Sequence, residues 1–127
     1  MIRNSNQRMS FEAFNCLLAY IYTNRIESNT KPIIICELFR NGELYTLDSL
    51  NESCIDYIEE ILDNDNVIEI YKYSAIEEPE ISKVKDICLK FIAQHFQDII
   101  QKQEFKELPQ KSIISITQYY AKNRSLN

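Results

Sequence analysis

The residues able to support acid–base or metal chemistry in this sequence are few and widely spaced. His95 is the only histidine, and the four cysteines are separated by 20, 18 and 34 positions. Zinc sites need closer ligand spacing, and a nucleophilic cysteine needs a base beside it. The acid pairs Glu59-Glu60 and Glu77-Glu78 would point in different directions on a helix, so neither pair would converge on one substrate. We therefore expect no catalytic, cofactor-binding or metal site.

The histidine and the cysteines are better explained as structural residues. His95 lies on the apolar side of a helix predicted over 80–101, which favours a packed, hydrogen-bonded side chain. Each cysteine has apolar neighbours at helical spacing, which favours buried, reduced thiols. They are Cys16, Cys36, Cys54 and Cys88. A small helical enzyme remains an alternative, but it would need a pocket that brings His95 together with acids placed elsewhere in the sequence.

The composition is that of a helical protein inside the cell. Apolar residues make up 45% of the 127 residues and charged residues 26%, while one glycine and three prolines give few turn signals for hairpins. No apolar run reaches the roughly 18–20 residues that span a bilayer, and the N-terminus lacks the apolar core of a signal peptide. We expect a cytoplasmic or nuclear protein that does not enter membranes.

The net charge of −5 is unevenly distributed along the chain. Residues 43–80 contain twelve acidic residues and one basic residue, Lys72. Such a segment repels the phosphate backbone, which argues against nucleic acid as a partner. A solvated acidic face is the simplest interpretation, and a basic protein partner is the alternative.

The apolar spacing predicts an all-α fold of about six amphipathic helices. In the first helix, Phe14, Leu17, Leu18 and Ile21 repeat at the helical period, and Ala13 with Tyr20 indicates burial on more than one side. Gly42 lies within a helical pattern, which predicts close packing at that position. The predicted helix N-caps are Ser10, Thr30, Asp48 and Asp65.

Several segments together carry a family resemblance. Phe14-Asn-Cys-Leu-Leu-Ala-Tyr-Ile-Tyr-Thr23 ends in a tyrosine–threonine corner that is followed by Asn24. The further segments are Glu37–Leu50 with Cys54, Asn66-Val67 with Ile70, Cys88–Phe96 and Phe105–Pro109. In this order they resemble the second half of a BTB/POZ domain that continues into a BACK-like helical extension, with Asn24 in place of the usual glycine. Similar segments occur in speckle-type and regulator-of-condensation-like BTB proteins.

The resemblance implies a division of the chain. We expect a flexible lead-in over 1–9, a partial BTB/POZ domain over 10–62, a BACK-like extension over 63–122 and a tail over 123–127. The first half of a BTB/POZ domain has no counterpart in the sequence. Part of the apolar surface of helix 11–22 should therefore lack its usual cover, because either the chain is a fragment of a longer product or another protein covers that face.

The resemblance also implies a function. Such chains are protein–protein interaction modules, here the substrate adaptor of a cullin–RING ubiquitin ligase, with a cullin and another BTB chain among the expected partners and no small-molecule substrate. Cullin-binding members carry a hydrophobic-x-Glu motif, to which Phe14-Asn15-Cys16 is the nearest match, without the acid. The alternative is a non-catalytic scaffold, cytoskeletal or transcriptional, or a regulatory BTB fragment without a ubiquitin-ligase role. The expected partner-binding residues are Phe14, Tyr20, Tyr22, Ile70 and Tyr71.

Overall fold

The computed structural model describes residues 9–76 and 80–124, and over these ranges the chain is helical without a β-strand. The all-α prediction is confirmed. The helices are α1 (Phe11–Thr23), α2 (Pro32–Leu44), α3 (Asp48–Ile61), α4 (Val67–Tyr71), a π-helical segment (Lys72–Ile76), α5 (Ser82–Gln94), α6 (Phe96–Ile99), α7 (Gln103–Lys106) and α8 (Gln110–Arg124). The chain divides into two compact units between Ile61 and Leu62.

The first unit contains α1, α2 and α3, and α2 packs against both of the other helices. Apolar residues cover most of the circumference of α2, so this helix is the centre of the unit. Its buried apolar side chains are Ile34, Ile35, Cys36, Leu38 and Phe39. Helix α3 contributes Leu50, Cys54 and Ile58, which repeat every four residues along one face. The Tyr57 hydroxyl donates to the carbonyl of Thr30 at 2.8 Å, which ties α3 to the loop before α2.

The second unit contains α4 to α8. Helix α5 packs against α4 and against α8, and it buries its apolar face between them. The buried residues of α5 are Val84, Cys88, Leu89 and Ile92. Outside the core, Lys102 and Asp65 form a salt bridge of 3.0 Å, which ties the start of α7 to the loop before α4.

Two of the predicted N-caps precede α1 and α2. The Ser10 hydroxyl accepts a hydrogen bond from the Ala13 N–H at 3.1 Å, so the predicted cap of α1 is confirmed. The prediction for Thr30 is wrong, because Lys31 occupies the N-cap position of α2. The Thr30 hydroxyl instead donates to the Glu27 carbonyl at 2.8 Å, which shapes the preceding loop.

The two other predicted caps also differ from the structure. Asp48 is the first residue of α3, where its carboxylate complements the positive end of the helix dipole. Asn66 takes the N-cap position of α4 in place of Asp65, whose side chain pairs with Lys102. The Asp63 carboxylate accepts the backbone N–H groups of Asp65 and Asn66 at 2.8 Å each, so Asp63 organises this turn.

The helix predicted over 80–101 is interrupted at His95, which separates α5 from α6. The His95 backbone has φ −123° and ψ 32°, outside the helical range. Its Nδ1 lies 3.0 Å from the Phe91 carbonyl oxygen, and its ring stacks on Phe91 with centroids 4.1 Å apart. The His95 N–H still donates to the Phe91 carbonyl oxygen at 3.1 Å, so the backbone bond is kept here and the ring nitrogen lies beside the same acceptor. The prediction of a hydrogen-bonded, packed histidine is confirmed, although the side chain is only half-buried.

Gly42 packs closely within the first unit, as its place in the helical pattern predicts. A Cβ built at Gly42 would overlap the Asn51 Oδ1 of α3 and lie 3.1 Å from the Asn51 Cγ. Asn51 Oδ1 is buried and has no hydrogen-bond partner among the described residues. Any residue larger than glycine at this level of the α2–α3 contact would therefore require the Asn51 side chain to move.

Because of this contact, the effect of Gly42→Ala on the free energy of unfolding should change sign when Asn51 is replaced. Gly42→Ala should lower the free energy of unfolding by about 1 kcal/mol, because overpacking of about 1–3 kcal/mol exceeds the gain of about 1 kcal/mol in helix propensity. In an Asn51→Ala background the overlap is gone, so the same substitution should raise the stability by up to about 1 kcal/mol. Urea unfolding of the four proteins, followed by circular dichroism, measures both values. Equal effects in the two backgrounds would show that Asn51 does not restrict Gly42.

Candidate protein-binding surface

Helix α1 is held to the first unit by polar contacts near both ends. At its N-terminus, the Ser10 hydroxyl and the Glu37 Oε1 are 2.9 Å apart. Near its C-terminus, the Tyr20 hydroxyl lies 2.8 Å from the Ser49 hydroxyl, at the start of α3. Between these contacts Ala13 is fully buried, and the Tyr20 ring is also buried. One side of α1 is thereby fixed against its own unit.

The end of α1 explains the asparagine in the tyrosine–threonine corner. Asn24 has φ 61° and ψ 26°, the left-handed conformation that ends many helices. Its N–H donates to the Tyr20 carbonyl at 2.6 Å, which closes the last turn. Asparagine tolerates this conformation better than most residues other than glycine. Asn24 can therefore replace glycine here without losing the turn.

The opposite side of α1 exposes a continuous apolar surface. Five side chains form this α1 apolar stripe, and they recur at helical spacing within an arc of about 100°. They are Phe11 (79% exposed), Phe14 (47%), Leu18 (39%), Ile21 (65%) and Tyr22 (88%). Single exposed apolar residues are ordinary, whereas a contiguous exposed row marks a surface that binds another molecule. The expectation of an uncovered apolar surface on helix 11–22 is confirmed.

The predicted partner-binding residues differ in their accessibility. Phe14 and Tyr22 lie in the α1 apolar stripe, where another protein can reach them. Tyr20 is buried on the other side of the helix and holds α1 through its hydroxyl. Ile70 and Tyr71 are buried in α4 of the second unit. Of the five residues, only Phe14 and Tyr22 are accessible for direct contact with a partner. The other three are buried and fix the positions of the helices to which they belong.

Sequence reasoning omitted three members of the stripe: Phe11, Leu18 and Ile21. Leu18 and Ile21 were assigned to a buried row, because helical periodicity identifies apolar faces but does not distinguish a covered face from an exposed one. The sequence does contain a signal that one face of α1 is exposed, because Ala13 and Tyr20 form a second apolar face on the same helix. A helix at the edge of a three-helix unit can bury only one of its two faces.

The cysteines show no arrangement suited to metal binding or nucleophilic catalysis. Over residues 9–76 and 80–124, no group of three His, Cys, Asp or Glu side chains could hold a metal ion. Burial raises the pKa of the Cys36 and Cys54 thiols to about 12, and it also raises the pKa of Cys16. A thiol with such a pKa is protonated at neutral pH and is a poor nucleophile. These cysteines therefore act as small apolar residues, with Cys16 only half-buried.

Within the part of the chain that the structure describes, the helices are too short or too polar to cross a bilayer.

Comparisons with known proteins find a family match within the second unit. Residues 67–119, from the start of α4 into α8, match the model of the family described as "BACK: BTB And C-terminal Kelch". The chain is 32% identical over 112 residues to the leucine-zipper-like transcriptional regulator 1 homolog of Drosophila melanogaster, with 83% of this chain and 11% of the relative covered. It is 30% identical over 103 residues to Kelch-like protein 24 of Homo sapiens, with 81% of this chain and 16% of the relative covered. No solved structure matches the chain.

The relatives thus extend the resemblance from the second unit to most of the chain. The family model covers 67–119 and leaves the first unit outside, so the BTB/POZ assignment of 10–62 stays a prediction. The chain spans only 11% and 16% of the length of these two relatives. Residues 67–119 are therefore similar to the BACK family, and most of the chain is similar to a short part of a Kelch-like protein and of a leucine-zipper-like regulator protein.

Proposed function

We propose that this chain is a non-catalytic adaptor module that binds a cullin and thereby serves a cullin–RING ubiquitin ligase inside the cell. The observation that carries the proposal is the α1 apolar stripe, which is presented on a helix fixed at both ends. A segment similar to the BACK family follows the first unit, in the order that the resemblance to BTB/POZ proteins predicts.

The proposal assigns different roles to the five predicted residues. Phe14 and Tyr22 contact the cullin directly, because large aromatic side chains provide most of the energy of small interfaces. Tyr20 sets the orientation of the stripe through its bond to Ser49. Ile70 and Tyr71 hold α4 in place within the second unit and do not contact the cullin themselves.

A titration of the purified chain with the purified N-terminal domain of a cullin tests this function. Phe14→Asp and Tyr22→Asp should each weaken the binding at least about 10-fold, since each places a charge in an apolar contact. Ile114→Asp is a matched control, because Ile114 of α8 is 48% exposed and Phe14 is 47% exposed. Isothermal titration calorimetry gives the dissociation constants, and circular dichroism checks the fold of each variant.

Two results would contradict the proposal. One is the absence of heat at two temperatures and at cullin concentrations of roughly 100 µM, because apolar contacts release little heat near 25 °C but have a large heat-capacity change. The other is binding that Phe14→Asp and Tyr22→Asp leave unchanged. Either result would favour the alternative, a scaffold or regulatory fragment that does not bind a cullin.

A further inference from the structure

The hydroxyl group of Tyr20 lies against two serine side chains of α3. Its oxygen is 2.8 Å from the Ser49 Oγ and 3.5 Å from the Ser53 Oγ. The Tyr20 side chain is 8% exposed, so its hydroxyl attaches the C-terminal part of α1 to α3 from a buried position. Ser49, by contrast, is exposed. One partner of this attachment is therefore accessible to a modifying enzyme.

The acidic segment over residues 43–80 contains a repeated pattern of hydroxyl and acid. A serine or threonine that is followed three positions later by an acid occurs three times in the chain, each time within that segment. The three pairs are Ser49 with Glu52, Ser53 with Asp56 and Ser74 with Glu77. A kinase with lysine and arginine side chains in its substrate cleft selects serines by such acids, because charge patterns decide kinase specificity. Such a kinase is one form of the basic partner that the charge of the segment indicates.

Burial distinguishes the three serines that share the pattern. Ser49 is exposed in the first turn of α3, Ser53 is half-buried further along the same helix, and Ser74 is fully buried. The end of a helix opens more readily than its interior. Thr46, just before α3, has φ 55°, which is a costly backbone conformation for a β-branched residue. Ser49 is therefore the serine that a kinase can reach by opening little more than one helical turn.

We propose that Ser49 is a phosphorylation site for an acid-directed serine/threonine kinase, and that the phosphate detaches the C-terminal end of α1 from α3. The phosphoryl donor is ATP. The Ser49 Oγ forms a bond to the γ-phosphorus, the bond from that phosphorus to the ADP oxygen breaks, and the hydroxyl proton passes to the catalytic base of the kinase. The carboxylate of Glu52 is the group that the kinase recognises.

The phosphate removes the contact between Tyr20 and Ser49. The phosphorylated Oγ has no hydrogen to donate, and its new substituent does not fit into the 2.8 Å between the two oxygens. A charge of about −1.5 to −2 directs the phosphate into the solvent, where it is hydrated. Tyr20 then keeps only the long contact of 3.5 Å to Ser53. The short polar attachment of α1 is thereby reduced to Ser10 and Glu37, and the last turns of α1 open more often.

The first test identifies the modified residue by mass spectrometry after the full chain is incubated with ATP and a purified acid-directed kinase. The matched control is a peptide of residues 44–60, in which the fold shields neither serine. Ser49 and Ser53 should both accept phosphate in the peptide, whereas Ser49 alone should do so in the folded chain. Glu52→Gln should slow the reaction at Ser49 at least about 10-fold, because it removes a charged contact with the kinase. Glu59→Gln, which changes another exposed acid of α3, should leave the rate unchanged.

The second test measures the effect on α1 by amide hydrogen exchange. Phosphorylation of Ser49 should accelerate exchange over residues 18–24 at least about 10-fold, because a hydrogen bond to a buried hydroxyl is lost. Exchange in α5 should not change. Tyr20→Phe lacks the hydroxyl, so phosphorylation of that variant should alter the exchange of α1 by less than about 2-fold. The comparison of the unsubstituted chain with and without phosphate keeps the test valid if Tyr20→Phe unfolds.

Three results would overturn the inference. One is the absence of phosphate at Ser49 in either the peptide or the folded chain. Another is modification of Ser53 or Ser74 in the folded chain to the same extent as Ser49. The third is a phosphorylated chain in which the exchange of α1 is unchanged. These measurements use the chain without a cullin, so their outcome is independent of the proposed function.

Discussion

Replacing Phe39 with alanine is expected to lower the free energy of unfolding by about 3–5 kcal/mol. Phe39 lies at the centre of α2 and is 2% exposed, with Ile35 and Leu38 of the same helix fully buried. Removing the ring loses its transfer free energy and leaves a cavity, because the packed α1 and α3 can relax only in part. Since small domains are stable by about 5–15 kcal/mol, this substitution should remove a large share of the total. Urea unfolding followed by circular dichroism measures the loss.

Two further substitutions in α2 serve as controls for Phe39→Ala. Phe39→Leu keeps most of the volume and should cost about 1–1.5 kcal/mol. Leu44→Ala removes an exposed side chain from the end of the same helix, so its effect should stay within about 0.5 kcal/mol. A loss below about 1 kcal/mol for Phe39→Ala would contradict the close packing of α2.

Alkaline pH should destabilise the protein through two buried thiols. The pKa of Cys36 and of Cys54 is raised from 9.0 to about 12, mainly by burial and, for Cys54, also by charge repulsion from Cys16 and Cys36. The unfolded chain therefore loses these protons from about pH 9, while the folded chain keeps them up to about pH 12. The contribution of the two protonated thiols to the free energy of unfolding is complete below pH 9. It decreases as the pH rises towards 12, by up to about 1.4 kcal/mol per pH unit for each thiol. By pH 11 the two thiols would remove up to about 5 kcal/mol.

Urea unfolding at pH 8, 9, 10 and 10.5 gives the slope of stability against pH. The variant with Cys36→Ala and Cys54→Ala should lose most of this slope between pH 9 and 10, even if its stability at pH 8 is lower. A weaker decrease should remain above pH 10, because burial also raises the pKa of Tyr57 and Tyr71. Equal slopes for the two proteins between pH 9 and 10 would show that the thiols are not responsible.

The sequence was sufficient to predict the helices because their apolar positions follow the helical period. The interruption at His95 was not predictable in the same way. Val84, Ile92 and Ile99 keep a continuous apolar period across it, whereas the break lies in the backbone angles of His95, to which the apolar pattern is insensitive. The N-cap at Ser10 was predictable because it depends only on residues within the same helix turn. At Asp65 a distant partner, Lys102, took the carboxylate instead.

The candidate surface could be predicted only in part. The sequence indicated that α1 would be important and that part of it would lack cover, and Phe14 and Tyr22 were identified as binding residues. It indicated both burial and partner binding for Tyr20, because a tyrosine suits a core as well as an interface, and it could not decide between the two. That distinction depends on the hydroxyl of Ser49, which lies 29 positions away in the sequence.

The attachment of α1 at both ends determines how a partner will dock. Because Ser10 bonds Glu37 and Tyr20 bonds Ser49, the backbone of the helix is already ordered before any encounter. Association then costs little conformational entropy beyond that of the side chains, so even a modest contact area can give measurable affinity. Docking should proceed as the collision of rigid bodies, with a rate set by diffusion and orientation rather than by folding of the helix.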